Sequence, residues 1–137
     1  MTRADFRLRI GEPSLAEVAA AAERLERWAL AARIRFEPRR QLLLVFDELA
    51  TNVAKHAEGA RELAIGAQRT PSGGVRLELE DDGIAFDPFA RPDPDTTLPL
   101  ELREPGGLGV HLVRRLAARA DYRRVDGRNR VEVELAP

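Results

Sequence analysis

Residues 37–59, EPRRQLLLVFDELATNVAKHAEG, decide the fold, because the rest of the chain reads as their support. Pro38 suits a first helical turn, where its missing N–H is no loss, and Gly59 suits a helix stop. Between them Leu42, Phe46, Leu49, Val53 and Ala57 recur at helical spacing as one apolar stripe, which predicts a helix from about Pro38. A different side of that helix carries Glu48, Asn52, Lys55 and His56. Helical periodicity stacks Glu48 and Asn52 one turn apart, and His56 continues the row. A carboxylate above an amide oxygen can take a proton and hold a hard cation. The same row, taken alone, also describes an ordinary solvated helix face.

Upstream, Phe6, Leu8 and Ile10 alternate with Arg7 and Arg9, the pattern of a half-buried strand over residues 4–10. Ser14 and Glu17 form a capping box before an alanine-rich helix to about Ala32. Its expected buried stripe is Leu15, Val18, Ala22, Leu25 and Ala29, with Trp28 as packing. Downstream, residues 61–70 alternate through Leu63, Ile65 and Ala67, and a turn at 71–74 leads to Val75, Leu77 and Leu79 alternating with charged residues. That is a hairpin. Residues 88–105 are proline-rich and aperiodic, a long loop of the kind that usually has a function. A helix is expected from Gly106-Gly107-Leu108-Gly109 through about Arg119. A last hairpin follows, from Tyr122–Val125 through Asp126-Gly127 to Val131, Val133 and Leu135. Strands with one polar face call for helices on one side only, so the fold class is α+β, a two-layer sandwich on a mixed, mostly antiparallel sheet.

The bulk composition narrows the function. The 137 residues make one domain (1–137) large enough for its own core, and a formal charge of −1 gives no reason to expect nucleic acid or an anionic membrane as a partner. Without cysteine there is neither a disulfide framework nor a thiolate site. The opening MTRADFRLRIG lacks a signal-peptide core and no run reaches membrane-spanning length, so a cytoplasmic protein is expected.

Two further motifs carry chemistry. The strand ending at Glu80 runs into Asp81-Asp82-Gly83, where a carboxylate beside a glycine turn can accept from an exocyclic amine close to a flat ring, although an Asp-Gly turn alone is common. Gly106-Gly107-Leu108-Gly109 opens a helix whose free N–H groups favour phosphate. It is neither a Rossmann fingerprint nor a Walker loop.

In order, these elements resemble the motif set of the GHKL ATPase superfamily of gyrase, heat-shock chaperone ATPases, histidine kinases and mismatch-repair proteins. Glu48-Leu-Ala-Thr-Asn52-Val-Ala-Lys55-His56 is similar to its N box, Asp81-Asp-Gly83-Ile-Ala-Phe86-Asp-Pro to its first glycine box, and Gly107-Leu-Gly109-Val-His-Leu-Val to its second. The short length and Phe86-Asp87-Pro88 look most like the anti-sigma-factor serine-protein kinases. The resemblance implies a histidine-kinase-like ATPase fold and ATP with Mg²⁺ as cofactors. It implies Glu48 as general base, Asn52 as metal ligand, and Lys55 near the phosphates. Asp81 would accept from adenine, Gly83 would give the ring room, and Gly107 and Gly109 would line the phosphates. The loop at about 88–105 would be the ATP lid. It further implies an anti-sigma factor and serine/threonine-protein kinase that sequesters a sigma factor, phosphorylates a STAS-type anti-sigma-factor antagonist, and forms a homodimer. The alternative is a non-catalytic nucleotide-binding partner-switching module. Two positions depart from the pattern: Ala85 replaces a usual glycine, and the final hairpin reads Gly127-Arg-Asn-Arg where Gly-Thr is usual, with Asn129 placed to replace the threonine near Asp81.

Overall fold

A computed structural model describes residues 5–56, 59–90 and 108–137. The elements run β1 (Phe6–Gly11), α1 (Leu15–Ala31), α2 (Phe36–His56), β2 (Glu62–Arg69), β3 (Val75–Asp81), α3 (Leu108–Leu116), β4 (Arg119–Val125) and β5 (Arg128–Leu135). The strands form one sheet in the order β1-β2-β3-β5-β4. All four pairings are antiparallel, so the sheet is more uniform than the mixed one expected. The lid loop from 91 onward, Gly107 and Ala57 lie outside the described residues.

Side-chain alternation sets which face is covered. Leu63, Ile65 and Ala67 on β2, Val75, Leu77 and Leu79 on β3, and Val131, Val133 and Leu135 on β5 are all buried. They meet Leu42, Val45, Phe46, Leu49 and Ala50 of α2 in one cluster, to which α1 adds Val18, Ala21, Leu25 and Ala29. On β3 and β5 the intervening residues are charged and form ladders on the open face, such as Arg76 with Glu132 and Glu134. The two-layer α+β sandwich is therefore the observed fold. No helix among the described residues is long and apolar enough to cross a membrane.

The helix ends follow local chemistry. Ser14 Oγ accepts from Glu17 N at 3.2 Å and starts α1 as expected. Leu15, assigned to the buried stripe, is instead 56% exposed, and the stripe begins one turn later at Val18 and passes through Ala21. α1 ends in a Schellman motif. Arg33 takes a left-handed φ of 60°, its N–H donates to Leu30 O, and Ile34 N donates to Ala29 O. α2 starts at Phe36, two residues before the expected position. α3 stops at Leu116 rather than continuing to about Arg119. The Ala118 N–H donates to Glu134 O at 2.8 Å and Arg119 pairs with Glu132 and Glu134, so β5 takes these residues into β4. Asp126 (φ 50°) and Gly127 (φ 75°) both lie at positive φ between Val125 and Arg128, the two-residue turn that suits the strand twist.

Candidate functional site

Period-two alternation carries two polar residues onto the core face. Asp81 continues the inward row Val75, Leu77, Leu79, and Asn129 continues Val131, Val133, Leu135. The register sets Asp81 directly opposite Asn129 across β3 and β5. They are the two buried polar side chains of the described core, 4% and 2% exposed. Buried polar groups need partners, and these two supply one another: Asn129 Nδ2 donates to Asp81 Oδ1 at 3.0 Å. Gly83 N donates to the same oxygen at 2.9 Å, so both bonds fall on Oδ1.

Asn129 is the hub. Its Nδ2 also donates to Ile84 O at 2.7 Å, and its Oδ1 accepts from Tyr122 Oη (2.7 Å), Phe86 N (3.1 Å) and Arg124 Nη1 (3.1 Å). Three donors facing one oxygen and two acceptors facing the nitrogen fix the orientation of the amide. Arg124 Nη1 reaches on to Gly83 O at 2.8 Å. One side chain from β5 thus ties β3, β4 and the first glycine box together. Neither Tyr122 nor Arg124 was among the residues expected to shape the site. The alternation through Ala120, Tyr122 and Arg124 was the available signal, but β4 was read as beginning only at Tyr122.

Burial raises the Asp81 carboxyl above its ordinary value, while the hydrogen bonds from Asn129 and Gly83 oppose the shift. Its neighbour Asp82 behaves oppositely. Partial burial would raise it, but Oδ1 accepts from Arg61 N (2.7 Å) and Glu62 N (3.1 Å), and the net shift is downward. Asp82 therefore anchors the start of β2, leaving Asp81 to face the interior.

Asp81 and Asn129 line a small pocket of about 20 Å³ together with Leu49, Asn52, Val53, Leu79, Phe86, Pro88 and Val131. Apolar walls around a few fixed polar groups are the usual make-up of a small-molecule site. The Phe86 ring stacks on His56 at 5.7 Å and 23°, which joins the glycine box to the end of α2. Phe89 N donates to Asp87 Oδ1 at 2.8 Å, and Arg114 of α3 donates to Phe89 O, tying the loop after the box to α3.

The expected site residues divide into three sets. Asn52 and Asp81 both line the pocket, and Gly83 meets Asp81 through its N–H. Glu48, one turn before Asn52, packs against Gly109 in the first turn of α3. Lys55 is exposed and lines a separate recess with Pro13, Val53, Ala54, His56, Gly59 and Ala60. A shallow depression on the open face of the sheet, ringed by Arg7, Arg9, Glu78, Glu80 and Arg130, contains none of the expected residues.

The lining combines aliphatic side chains with a buried acceptor, Asp81, the chemistry that a flat ring with an exocyclic amine calls for, and the walls would have to part to admit such a ring. No cluster of three or more His, Cys, Asp or Glu lies among the described residues. Mg²⁺, however, typically combines one or two protein oxygens with substrate phosphates and water, and among the lining residues the Asn52 amide oxygen is one that could serve.

Comparisons with known proteins agree with this fold. Residues 12–135 match the histidine kinase-like ATPase domain. The serine/threonine-protein kinase BtrW of Bordetella bronchiseptica is 33% identical over 109 residues, 76% of this chain and 70% of that protein. In fold, the chain is similar to the crystal structure of the RsbU and RsbW domains of a Mycobacterium tuberculosis protein, with a TM-score of 0.66 at 12% identity. That match covers 96% of this chain and 32% of the other, so the chain spans about a third of its length. It is also similar to the SiaB–SiaC complex from Pseudomonas aeruginosa, with a TM-score of 0.61 at 15% identity, covering 96% and 89% of the two chains.

Proposed function

Because this chain belongs to the histidine kinase-like ATPase family, we propose that it binds ATP with Mg²⁺ and transfers the γ-phosphoryl group to a serine or threonine hydroxyl of a protein. The protein substrate is an anti-sigma-factor antagonist of the STAS type, and the kinase in its other role sequesters a sigma factor. It acts as one domain over residues 1–137, as a homodimer, in the cytoplasm. The observation that carries the nucleotide reading is Asp81. An inward carboxylate, held by Asn129 and Gly83 in a pocket that Asn52 also lines and raised above its ordinary value by burial, is explained by a ligand that uses it. Support for the kinase reading comes from the relative named a serine/threonine-protein kinase and from Glu48 one helical turn before Asn52.

Within this reading Asp81 accepts from the adenine amino group and Gly83 leaves the ring room. Asn52 would hold Mg²⁺, which when bound neutralises charge on the phosphates. Gly107 and Gly109 would approach the phosphates, and the long Lys55 side chain would reach towards them from the last turn of α2. Glu48 takes the proton of the substrate hydroxyl as its oxygen bonds to the γ-phosphorus. The bond to the bridging oxygen breaks, and ADP leaves.

Glu48→Gln tests the assignment, because glutamine keeps the size of glutamate but cannot accept the proton. We expect phosphotransfer to fall by roughly 10²–10⁴-fold, measured with labelled ATP and a cognate antagonist, while calorimetry shows ATP affinity little changed. Wild type that binds ATP and a sigma factor yet phosphorylates no antagonist would instead identify a non-catalytic partner-switching module. Wild type that binds no nucleotide with Mg²⁺ present would refute the whole reading.

A further inference from the structure

Gly109 raises a question that its backbone does not answer. It lies in the first turn of α3 with helical geometry and no positive φ, a conformation open to every residue. In such a position alanine is favoured over glycine by about 1 kcal/mol. A side chain there meets an obstacle, however. A Cβ built on Gly109 would overlap the Glu48 carboxylate at Cδ and Oε2 and lie 3.0 Å from Oε1. At Gly11, Gly59, Gly66, Gly73, Gly74 and Gly127 the nearest neighbours of such a Cβ are backbone, an arginine head, a proline or open space. At Gly109 the obstacle is the carboxylate assigned as the base.

We infer that Gly109 is a positioning residue for Glu48: the bare backbone at 109 forms the seat that holds the base's carboxylate against α3. The inference rests on the reading of Glu48 as general base and gives Gly109 a role separate from phosphate approach. Glu48 reaches this seat from α2 while Asn52, one turn on, faces the nucleotide pocket. The contact between α2 and α3 therefore sets where the base lies relative to the metal ligand. A methyl group at 109 drives the carboxylate to another rotamer without touching Asp81 or Asn52. A displacement of this size at a reacting group costs on the order of 10²-fold in rate.

The test is a double-mutant cycle on the full chain with Gly109→Ala and Glu48→Asp. Aspartate is one methylene shorter, which withdraws the carboxylate from the space a Cβ at 109 would take. We expect Gly109→Ala alone to lower the phosphotransfer rate by roughly 10²-fold, well beyond any loss of ATP affinity that follows from the phosphate approach also assigned to this glycine. In the Glu48→Asp background the same substitution should change the rate by less than about twofold, the non-additivity that marks a direct contact. Equal rate losses in the two backgrounds, or a loss of ATP affinity as large as the loss of rate, would overturn the inference and assign Gly109 to the phosphates.

A second readout does not depend on catalysis. The carboxyl carbon resonance of Glu48 in the ligand-free protein, assigned through Glu48→Gln, should move in Gly109→Ala. An unmoved resonance refutes the seat whatever the kinase assay shows. A moved resonance in a protein that transfers no phosphate keeps the contact and refutes only the base. If Gly109→Ala fails to fold but the double variant folds, the clash is demonstrated directly. If both fail to fold, the need for glycine lies elsewhere and the inference is wrong.

Discussion

Burial holds the Asp81 carboxyl above its ordinary value of 3.8, against the opposing hydrogen bonds from Asn129 and Gly83. The folded state therefore binds a proton more readily than the unfolded chain at this site. By linkage, stability falls as pH rises from the ordinary carboxylate value through the raised one, so at neutral pH the ionised Asp81 costs the fold stability. Asp81→Asn keeps an oxygen for Asn129 Nδ2 and Gly83 N and removes that charge. We expect thermal unfolding at pH 7 to show a variant at least as stable as wild type, with its advantage shrinking as pH drops and gone below the ordinary value. ATP binding should be lost, since with its oxygen kept by those two donors the amide turns an NH₂ donor, not an acceptor, toward the adenine amino group. A variant that is less stable at pH 7 and no different at low pH would mean that ionised Asp81 supports the fold. The trade of stability for a binding group is common at functional sites.

At the scale of elements, the network around Asn129 joins β3, β4, β5 and the turn after β3. Asn129→Leu keeps the branching at Cγ but strips Ile84 O, Phe86 N and Tyr122 Oη of a partner and leaves Asp81 Oδ1 with Gly83 N alone. One stranded buried polar group costs about 1–3 kcal/mol. We expect a loss of at least about 2 kcal/mol in urea titration, with ATP affinity falling as well because the floor of the pocket loosens. A loss under about 0.5 kcal/mol, the scale of an ordinary surface substitution, would show that water replaces the amide. The elements themselves were largely legible. Alternation located β1, β2, β3 and β5, the Ser14–Glu17 box located α1, and Asp126-Gly127 located the last turn. What alternation could not supply was register. Asp81 and Asn129 each continue an inward row, yet that they face one another is a property of two strands paired, and neither strand contains it alone. The boundary at Arg119 was missed for a related reason. Ala117-Ala118-Arg119 carries helix propensity, and only the edge of β5, far along the chain, converts it to strand. The Glu48–Gly109 contact was hidden in the same way, because both residues were visible as motif members but nothing local states that α2 and α3 touch there.

At the scale of the whole molecule, the pocket has no scaffold separate from the core. Leu49, Leu79 and Val131 form its walls and are at the same time members of the single buried cluster that joins α1, α2 and the sheet. The first glycine box hangs from Asn129, which continues the inward row of β5. A site built this way cannot unfold while the rest of the domain stays folded, so its ligand must stabilise the entire molecule. We expect ligand-free protein to unfold in one calorimetric transition whose van't Hoff and calorimetric enthalpies agree, as for a single domain of this size. Mg²⁺–ATP should move that transition upward as a unit. The shift follows the free energy of binding to the native state, about 2.7 kcal/mol at a nucleotide concentration of 100 Kd. In Asp81→Asn the transition should stay single and stop responding to ATP, which separates loss of the site from loss of the fold. Two resolved transitions, with only one moved by nucleotide, would place the site in a subdomain of its own and contradict the shared core. One transition that ATP shifts equally in wild type and in Asp81→Asn would mean that the nucleotide binds elsewhere on the molecule.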